Sequence, residues 1–256
     1  TFEKDYIESL WHLLKKFYDK GLLYKGFSVQ PFSPAAGTGL SSHELNQPGT
    51  YRDVSDTSVV GQFKVKNSEK SAHLFSAPSE EVFFLAWTTT PWTLPANLAL
   101  AVHPRVRYVE VISSEKSYWV AEELAESFIN SCGLQACEFG EKLLGSEMTS
   151  WVTQHPFIDR ESPVVSAEYV TTESGTGCVH IAPGHGLDDY ITGLENKLEV
   201  YCPLDDNGCY VDDGQIPSNL VGVSVLEKAS GCPANKEVLS ILRESGKLLA
   251  QTDHAH

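Results

Sequence analysis

One stretch of this 256-residue chain gathers small polar side chains where a strand must end: Trp87-Thr88-Thr89-Thr90-Pro91-Trp92-Thr93-Leu94-Pro95-Ala96-Asn97. Hydroxyls both donate and accept, so a row of them can hold a sugar hydroxyl, an amino acid and a water together. They are poor nucleophiles without an activating base, and no Gly-x-Ser-x-Gly elbow is present. The chemistry they suit is positioning, with water as the nucleophile. Strand alternation sends Thr88 and Thr90 to one face and Thr89 to the other. Pro91 cannot continue a ladder, so it ends the strand and leaves the terminal hydroxyls available. The plain alternative is that threonines favour strands and prolines stop them; it leaves the single amide, Asn97, without a reason.

A second stretch carries titratable groups: Gly175-Thr176-Gly177-Cys178-Val179-His180-Ile181-Ala182-Pro183-Gly184-His185-Gly186-Leu187-Asp188-Asp189-Tyr190. On a strand, Val179 and Ile181 face one side while Cys178 and His180 face the other. The paired glycines allow close backbone approach, to a neighbour or to a ligand. Asp188 and Asp189 stand at the start of a helical pattern, where capping and the helix dipole favour acids. That role uses one aspartate and leaves the second to meet a ligand ammonium group. The two histidines match neither a His-Glu-x-x-His nor a deaminase pattern, so no metal is expected and His185 reads as structural.

These residues need a frame. Tyr6, Ile7, Leu10, Trp11, Leu14, Phe17 and Tyr18 recur at helical spacing up to a stop at Lys20-Gly21. Leu22 to Val29 reads as a strand and Pro31 to Gly39 as a loop. Val59 to Val65, Val82 to Trp87, Leu98 to Val102, Val106 to Ile112 and Ser117 to Ala121 are short, β-branched or aromatic runs bounded by turn residues. Glu122 to Cys132 is helical. Strands follow near Trp151, at Val164 to Thr171 and at Cys178 to Ile181. A helix carries Leu187, Tyr190, Ile191 and Leu194, and another covers Asn235 to Leu249. Many short strands with few helices predict a mainly β fold with peripheral helices, a closed barrel or barrel-like sheet. The whole of 1–256 reads as one domain, with 1–30 and about 235–256 as connecting elements toward a longer protein.

The formal net charge of -15 argues against a broad phosphate-binding surface, though not against a few terminal nucleotides. Six cysteines at spacings that match no zinc ribbon read as reduced thiols. No run is long and apolar enough for a membrane span, and the charged start does not read as a signal peptide, so the expected location is the cytoplasm.

Trp87 to Asn97 and Gly175 to Tyr190 together resemble the editing insertion of class I isoleucyl-tRNA synthetases, and Lys20 to Gly26 and Ser33 to Arg52 are also similar to this family. Valyl and leucyl relatives usually carry Thr-Thr-Arg-Pro-Glu; here Thr90 stands at the arginine position and Trp92 at the glutamate position, which favours the isoleucyl branch. The resemblance implies a β-barrel-type editing domain that hydrolyses valine wrongly joined to the isoleucine tRNA, and valyl-adenylate as well. It implies that Thr88, Thr89, Thr90, Trp92 and Asn97 line the pocket, with Thr89, Thr90, Asn97 and Asp189 in catalysis. His180 would bound the side-chain space, Asp189 would bind the α-ammonium, and Gly175, Thr176 and Gly177 would lie near the substrate. Its implied partners are the 3'-terminal adenosine of aminoacylated tRNA(Ile), valyl-adenylate and the remainder of the synthetase chain, with no cofactor. No His-Ile-Gly-His or Lys-Met-Ser-Lys-Ser signature is present, so no synthetic activity is expected of these residues. A binding module without turnover, an editing domain of the valyl or leucyl type and a zinc deaminase are the competing readings.

Overall fold

The structure is a computed structural model that describes residues 1–51, 55–75, 81–114, 116–226 and 231–255; Arg52, which closes one of the family-like segments, lies outside them. The chain opens with α1 (Lys4–Asp19), a two-residue pairing of β1 (Phe32–Ser33) with β2 (Thr38–Gly39), and α2 (Ser42–Leu45). Then come β3 (Ser55–Val65), β4 (Glu81–Thr88), β5 (Ala99–Val102), β6 (Arg107–Ser113) and β7 (Lys116–Ala121). They are followed by α3 (Ala125–Cys132), β8 (Glu138–Leu144), α4 (Gly145–Met148), β9 (Val152–Gln154), β10 (Glu161–Ser166) and β11 (Cys178–Ile181). The chain finishes with α5 (Leu187–Glu195), α6 (Pro233–Glu244) and β12 (Leu248–Ala255).

Ten strands form one sheet in the order β11-β5-β10-β9-β3-β4-β7-β6-β8, with β12 also on β3. β10 runs parallel to β5 and β4 parallel to β7; the other neighbours are antiparallel. β3 is long enough to share one edge between two partners: β12 along 55–61 and β9 at Lys64 and Val65. Its other edge pairs with β4, Val59 standing opposite Thr88.

β4 explains the layering. Its Val-Phe-Phe-Leu-Ala run is buried throughout, as expected of a strand covered on both faces. Val82, Phe84 and Ala86 enter the main core with Val59, Phe63, Trp119, Trp151 and the inner face of α6. Phe83 and Leu85 turn the other way, against Tyr118, Val120 and Phe128 of α3. β5 divides likewise: Leu100 and Val102 join the main core, while Ala99 and Ala101 pack with Val165 and Ile181.

The sheet curls but does not close, which corrects the closed-barrel expectation while leaving the mainly β reading intact. The Tyr108 hydroxyl donates to the Gly177 carbonyl at 2.6 Å, and the Ala121 N–H donates to the Thr176 carbonyl at 2.9 Å. These bonds draw the segment before β11 onto β6 and β7. Among the described residues no ladder joins β11 to β8. β8 has no buried position: Phe139 and Leu144 are exposed and Leu143 packs only partly buried against the main core.

Three local readings also change. Residues 22–29 form no strand: Leu22, Leu23, Tyr24 and Phe27 are exposed and find no partner edge. The strand read at 164–171 lies earlier, at β10, because its ladder is shared with β9 and β5. The tail helix stops at Glu244, Gly246 takes a left-handed φ of 66°, and the chain returns as β12 along β3.

Candidate functional site

The threonine strand ends as its sequence demands. Thr88 closes β4 and is buried, Thr89 is half-buried and Thr90 is exposed. The Thr90 N–H donates to the Thr88 hydroxyl at 3.1 Å, and the two hydroxyls lie 3.3 Å apart. Pro91 then starts a 3-10 helix, Pro91–Ala96, that turns the chain under the sheet.

Distant parts of the chain clamp this short helix. The Trp92 N–H donates to the Asn235 amide oxygen at 2.9 Å, and the Tyr210 hydroxyl donates to the Trp92 carbonyl. His155 accepts from the Phe157 and Ile158 N–H groups through Nδ1, so its Nε2–H donates to the Leu94 carbonyl at 2.9 Å. Burial pushes the His155 pKa down to about 3 and keeps the ring neutral. The Arg160 guanidinium donates to the carbonyls of Pro95 and Asn97 at 3.0 and 2.9 Å. None of these anchors stands near the threonines in sequence, and nothing local in the sequence marked them.

Asn97 faces inward and is fully buried. Its amide nitrogen donates to the Ala99 carbonyl at 2.8 Å, and its side-chain oxygen accepts from the Ser162 hydroxyl at 2.6 Å. The amide thus ties the end of the 3-10 helix to β5 and β10. Trp92 is half-buried and meets the His185 ring edge-to-face at 5.2 Å.

His180 stands on β11 opposite Leu100 and shares the inward face with it. Its Nε2 lies 3.0 Å from the Thr93 hydroxyl, and that hydroxyl also reaches the Thr90 carbonyl at 2.9 Å. Thr93 therefore links the threonine strand end to His180. Burial, reinforced by nearby His185, pushes the His180 pKa down to about 4. His185 is depressed to about 4 by burial as well.

Asp189 falls in the first turn of α5. The Ala182 N–H donates to one of its carboxylate oxygens at 2.9 Å and the Tyr169 hydroxyl to the other at 3.1 Å. Burial raises its pKa above the usual carboxylate value, and those two donors offset only part of the rise. Among the described residues no lysine or arginine pairs with it. The carboxylate is oriented without being neutralised, an arrangement suited to an external cation.

The Gly175 to Gly177 turn has a structural reason. Both glycines adopt left-handed backbone, and a Cβ on Gly177 would sit 2.4 Å from that of Ala121. The Thr176 hydroxyl donates to the Leu85 carbonyl. The turn also lines a cavity of about 250 Å³ with Trp87, Val179 and Tyr169. A larger cavity of about 610 Å³, beyond Tyr169, is rimmed by Glu168, Asp188 and Glu195 and is unsuited to phosphate. Among the described residues no group of three or more His, Cys, Asp or Glu side chains could hold a metal ion.

The structure thus joins Thr88, Thr90 and His180 through Thr93, sets Trp92 against His185, and places Asp189 at the end of β11. Sequence reading missed Thr93 as a link and Tyr169 as the partner of Asp189.

The model of class I tRNA synthetases (I, L, M and V) matches residues 1–159. The isoleucine–tRNA ligase of Cytophaga hutchinsonii is 46% identical over 233 residues, covering 81% of this chain and 20% of that protein. That of Bacteroides fragilis is 46% identical over 217 residues, covering 74% and 18%. That of Staphylococcus aureus is 34% identical over 251 residues, covering 97% and 25%. The chain therefore spans about a fifth to a quarter of the length of these relatives. Among solved structures, GlLeuRS-CP1 superposes with a TM-score of 0.57 at 15% identity, covering 76% of this chain and 99% of that one. The cytosolic leucyl-tRNA synthetase editing domain of P. knowlesi gives 0.52 at 14% identity, covering 78% and 97%. At those identities the likeness concerns the fold.

Proposed function

The chain belongs to the class I tRNA synthetases of the isoleucyl, leucyl, methionyl and valyl group, and from that membership we propose that it is the proofreading hydrolase of an isoleucyl enzyme, acting on valine esterified to tRNA(Ile). Valine and isoleucine differ by one methylene, worth roughly 1–3 kcal/mol in a binding pocket, a range known from this enzyme family itself rather than derived from the structure. A second pocket that hydrolyses only what fits supplies the missing discrimination.

In this reading water attacks the carbonyl carbon of the ester and the ribose oxygen leaves as a hydroxyl, releasing valine. Asp189 binds the α-ammonium. His180, held by Thr93, bounds the side-chain space. Thr89 and Thr90 meet the ribose, the carbonyl or the water, while Thr88 and the Gly175 to Gly177 turn support them. Asn97 acts through the frame, because its amide is already engaged by Ala99 and Ser162. No side chain near the esters' expected position stands out as a general base, which suits assistance from the neighbouring ribose hydroxyl. Valyl-adenylate presents the same amino acid beside an adenosine and enters the same pocket. The 3'-terminal adenosine of the tRNA and the remainder of the synthetase are the partners, and the setting is the cytoplasm. Tyr6, Leu10, Trp11 and Phe17 of α1 are exposed, and we assign that helix to contact with the remainder.

The observation that carries the proposal is Asp189, half-buried, oriented by two donors and unpaired with any described cation. Asp189→Asn keeps the shape and removes the charge. A hydrogen bond to a charged group is worth about 1.5–3 kcal/mol, so deacylation of valyl-tRNA(Ile) should fall roughly ten- to hundredfold. N-acetylation of the valine should cost the wild type a similar factor and the variant little. Equal losses in both proteins would remove Asp189 from the anchor role.

A further inference from the structure

The 3-10 helix Pro91–Ala96 begins with a donor that its own turn cannot satisfy. Pro91 has no N–H, and the Thr93 N–H reaches the Thr90 carbonyl at 3.0 Å. That leaves the Trp92 N–H, an orphan of the kind every helix start creates. Thr90 stands at the N-cap, where a threonine hydroxyl ordinarily accepts from the second or third N–H. Here its side chain makes no capping bond. The acceptor is instead the amide oxygen of Asn235, 2.9 Å from the Trp92 nitrogen and 143 residues along the chain.

Asn235 holds that position because α6 is fixed. Its neighbours Ala234, Val238 and Leu242 are fully buried in the main core, which also takes Leu94 of the 3-10 helix. The Tyr210 hydroxyl donates to the Trp92 carbonyl, so the backbone of Trp92 is gripped at both its polar groups. The consequence falls on Thr90. That residue is exposed, its hydroxyl lies 3.3 Å from that of Thr88, and its N–H donates to the Thr88 hydroxyl at 3.1 Å. With the cap supplied from α6, the Thr90 hydroxyl is spared for a ligand.

We infer that Asn235 is a positioning residue for the ester hydrolysis: it caps the 3-10 helix in place of Thr90 and so keeps the Thr90 hydroxyl available to the substrate. The inference rests on the editing reading and deepens it, because it names what holds the end of the threonine row open. Without the Asn235 amide, the replacement cap nearest in sequence is Thr90 itself. Its hydroxyl would turn inward to the Trp92 N–H and leave the substrate.

The test is a double-mutant cycle of Asn235→Ala and Thr90→Val. It is read as kcat and KM for valyl-tRNA(Ile) deacylation by the synthetase carrying this domain, and as urea unfolding of this chain. Each single variant should lower kcat roughly three- to tenfold, the worth of one hydrogen bond. The double variant should be no slower than Thr90→Val alone, since Asn235→Ala has already withdrawn that hydroxyl. Asn235→Asp, which keeps an acceptor oxygen, should restore the rate. Stability should show the complementary pattern: Thr90→Val leaves the urea midpoint almost unchanged alone, but lowers it further in Asn235→Ala, where Thr90 has become the cap. Rate losses that simply multiply, with stability losses that simply add, would assign Asn235 to the frame alone and overturn the inference. So would an Asn235→Ala variant with the kcat of the wild type. Either result, with valine still released by the wild type, leaves the editing reading standing. A wild-type synthetase that releases no valine overturns the reading and the inference with it.

Discussion

Asn97 shows how a residue can be singled out from sequence for one reason and belong to the site for another. A lone amide at the end of a threonine run invites a role in holding substrate. In the structure its side chain bridges Ala99 and Ser162, and Ser162 is fully buried. Asn97→Ala would leave the Ser162 hydroxyl without its acceptor, which costs about 1–3 kcal/mol. Urea unfolding should register that loss, with deacylation falling only as the site loosens. Unchanged stability together with abolished turnover would return Asn97 to direct contact with substrate. Thr88, Thr90, His180 and Asp189 were legible as polar groups at a strand end, a strand face and a helix start. Thr93, Tyr169 and His155 were not, because their partners lie 87, 20 and 61 residues away. Local patterns carry no information on such pairings.

The strands β4, β5, β6 and β7 were readable because each is a short apolar run with turn residues at its ends. β12 was hidden behind the amphipathic pattern of α6, and residues 22–29 have strand-like composition with no edge to join. Closure of the sheet depends on long-range partners that no single segment specifies. The turn at Gly175 to Gly177 is the element on which the approach of β11 to β6 and β7 depends. Alanine at 177 would have to accept a φ of 74° and a Cβ 2.4 Å from that of Ala121. Left-handed backbone costs an L-residue about 1–2 kcal/mol and overpacking about 1–3. Gly177→Ala should therefore lose roughly 2–5 kcal/mol by urea unfolding, whereas Gly214→Ala, at φ 78° with open space around it, should lose only the backbone part. Similar losses at both positions would mean that the contact with Ala121 does not matter.

Across the whole molecule two buried histidines, His155 and His180, and the half-buried His185 make stability depend on pH. His155, His180 and His185 have pKa values near 3, 4 and 4 when folded, against 6.5 as the ordinary value. Between those limits the unfolded chain binds more protons, so stability is full above about pH 6.5 and declines as pH falls toward 4. Each fully buried histidine contributes on the order of 1 kcal/mol per pH unit within that window. Asp189 acts in the opposite sense, since burial raises its pKa and acid relieves the penalty. The urea midpoint should drop between pH 7 and pH 4.5, and a flat profile would contradict the neutral, buried state of the rings. Net charge works at the same scale. At -15, the chain repels a polyanion, so the encounter with tRNA that we propose would rely on the terminal nucleotides and on the remainder of a synthetase.

The central claim is a size limit set at a hydrolytic pocket. The most direct measurement compares deacylation of valyl-tRNA(Ile) and isoleucyl-tRNA(Ile) by the synthetase carrying this domain, with His180→Ala measured alongside. The account predicts rapid release of valine and retention of isoleucine in the wild type, with the His180→Ala variant releasing both. Equal rates for the two esters in the wild type, or none for either, would contradict it.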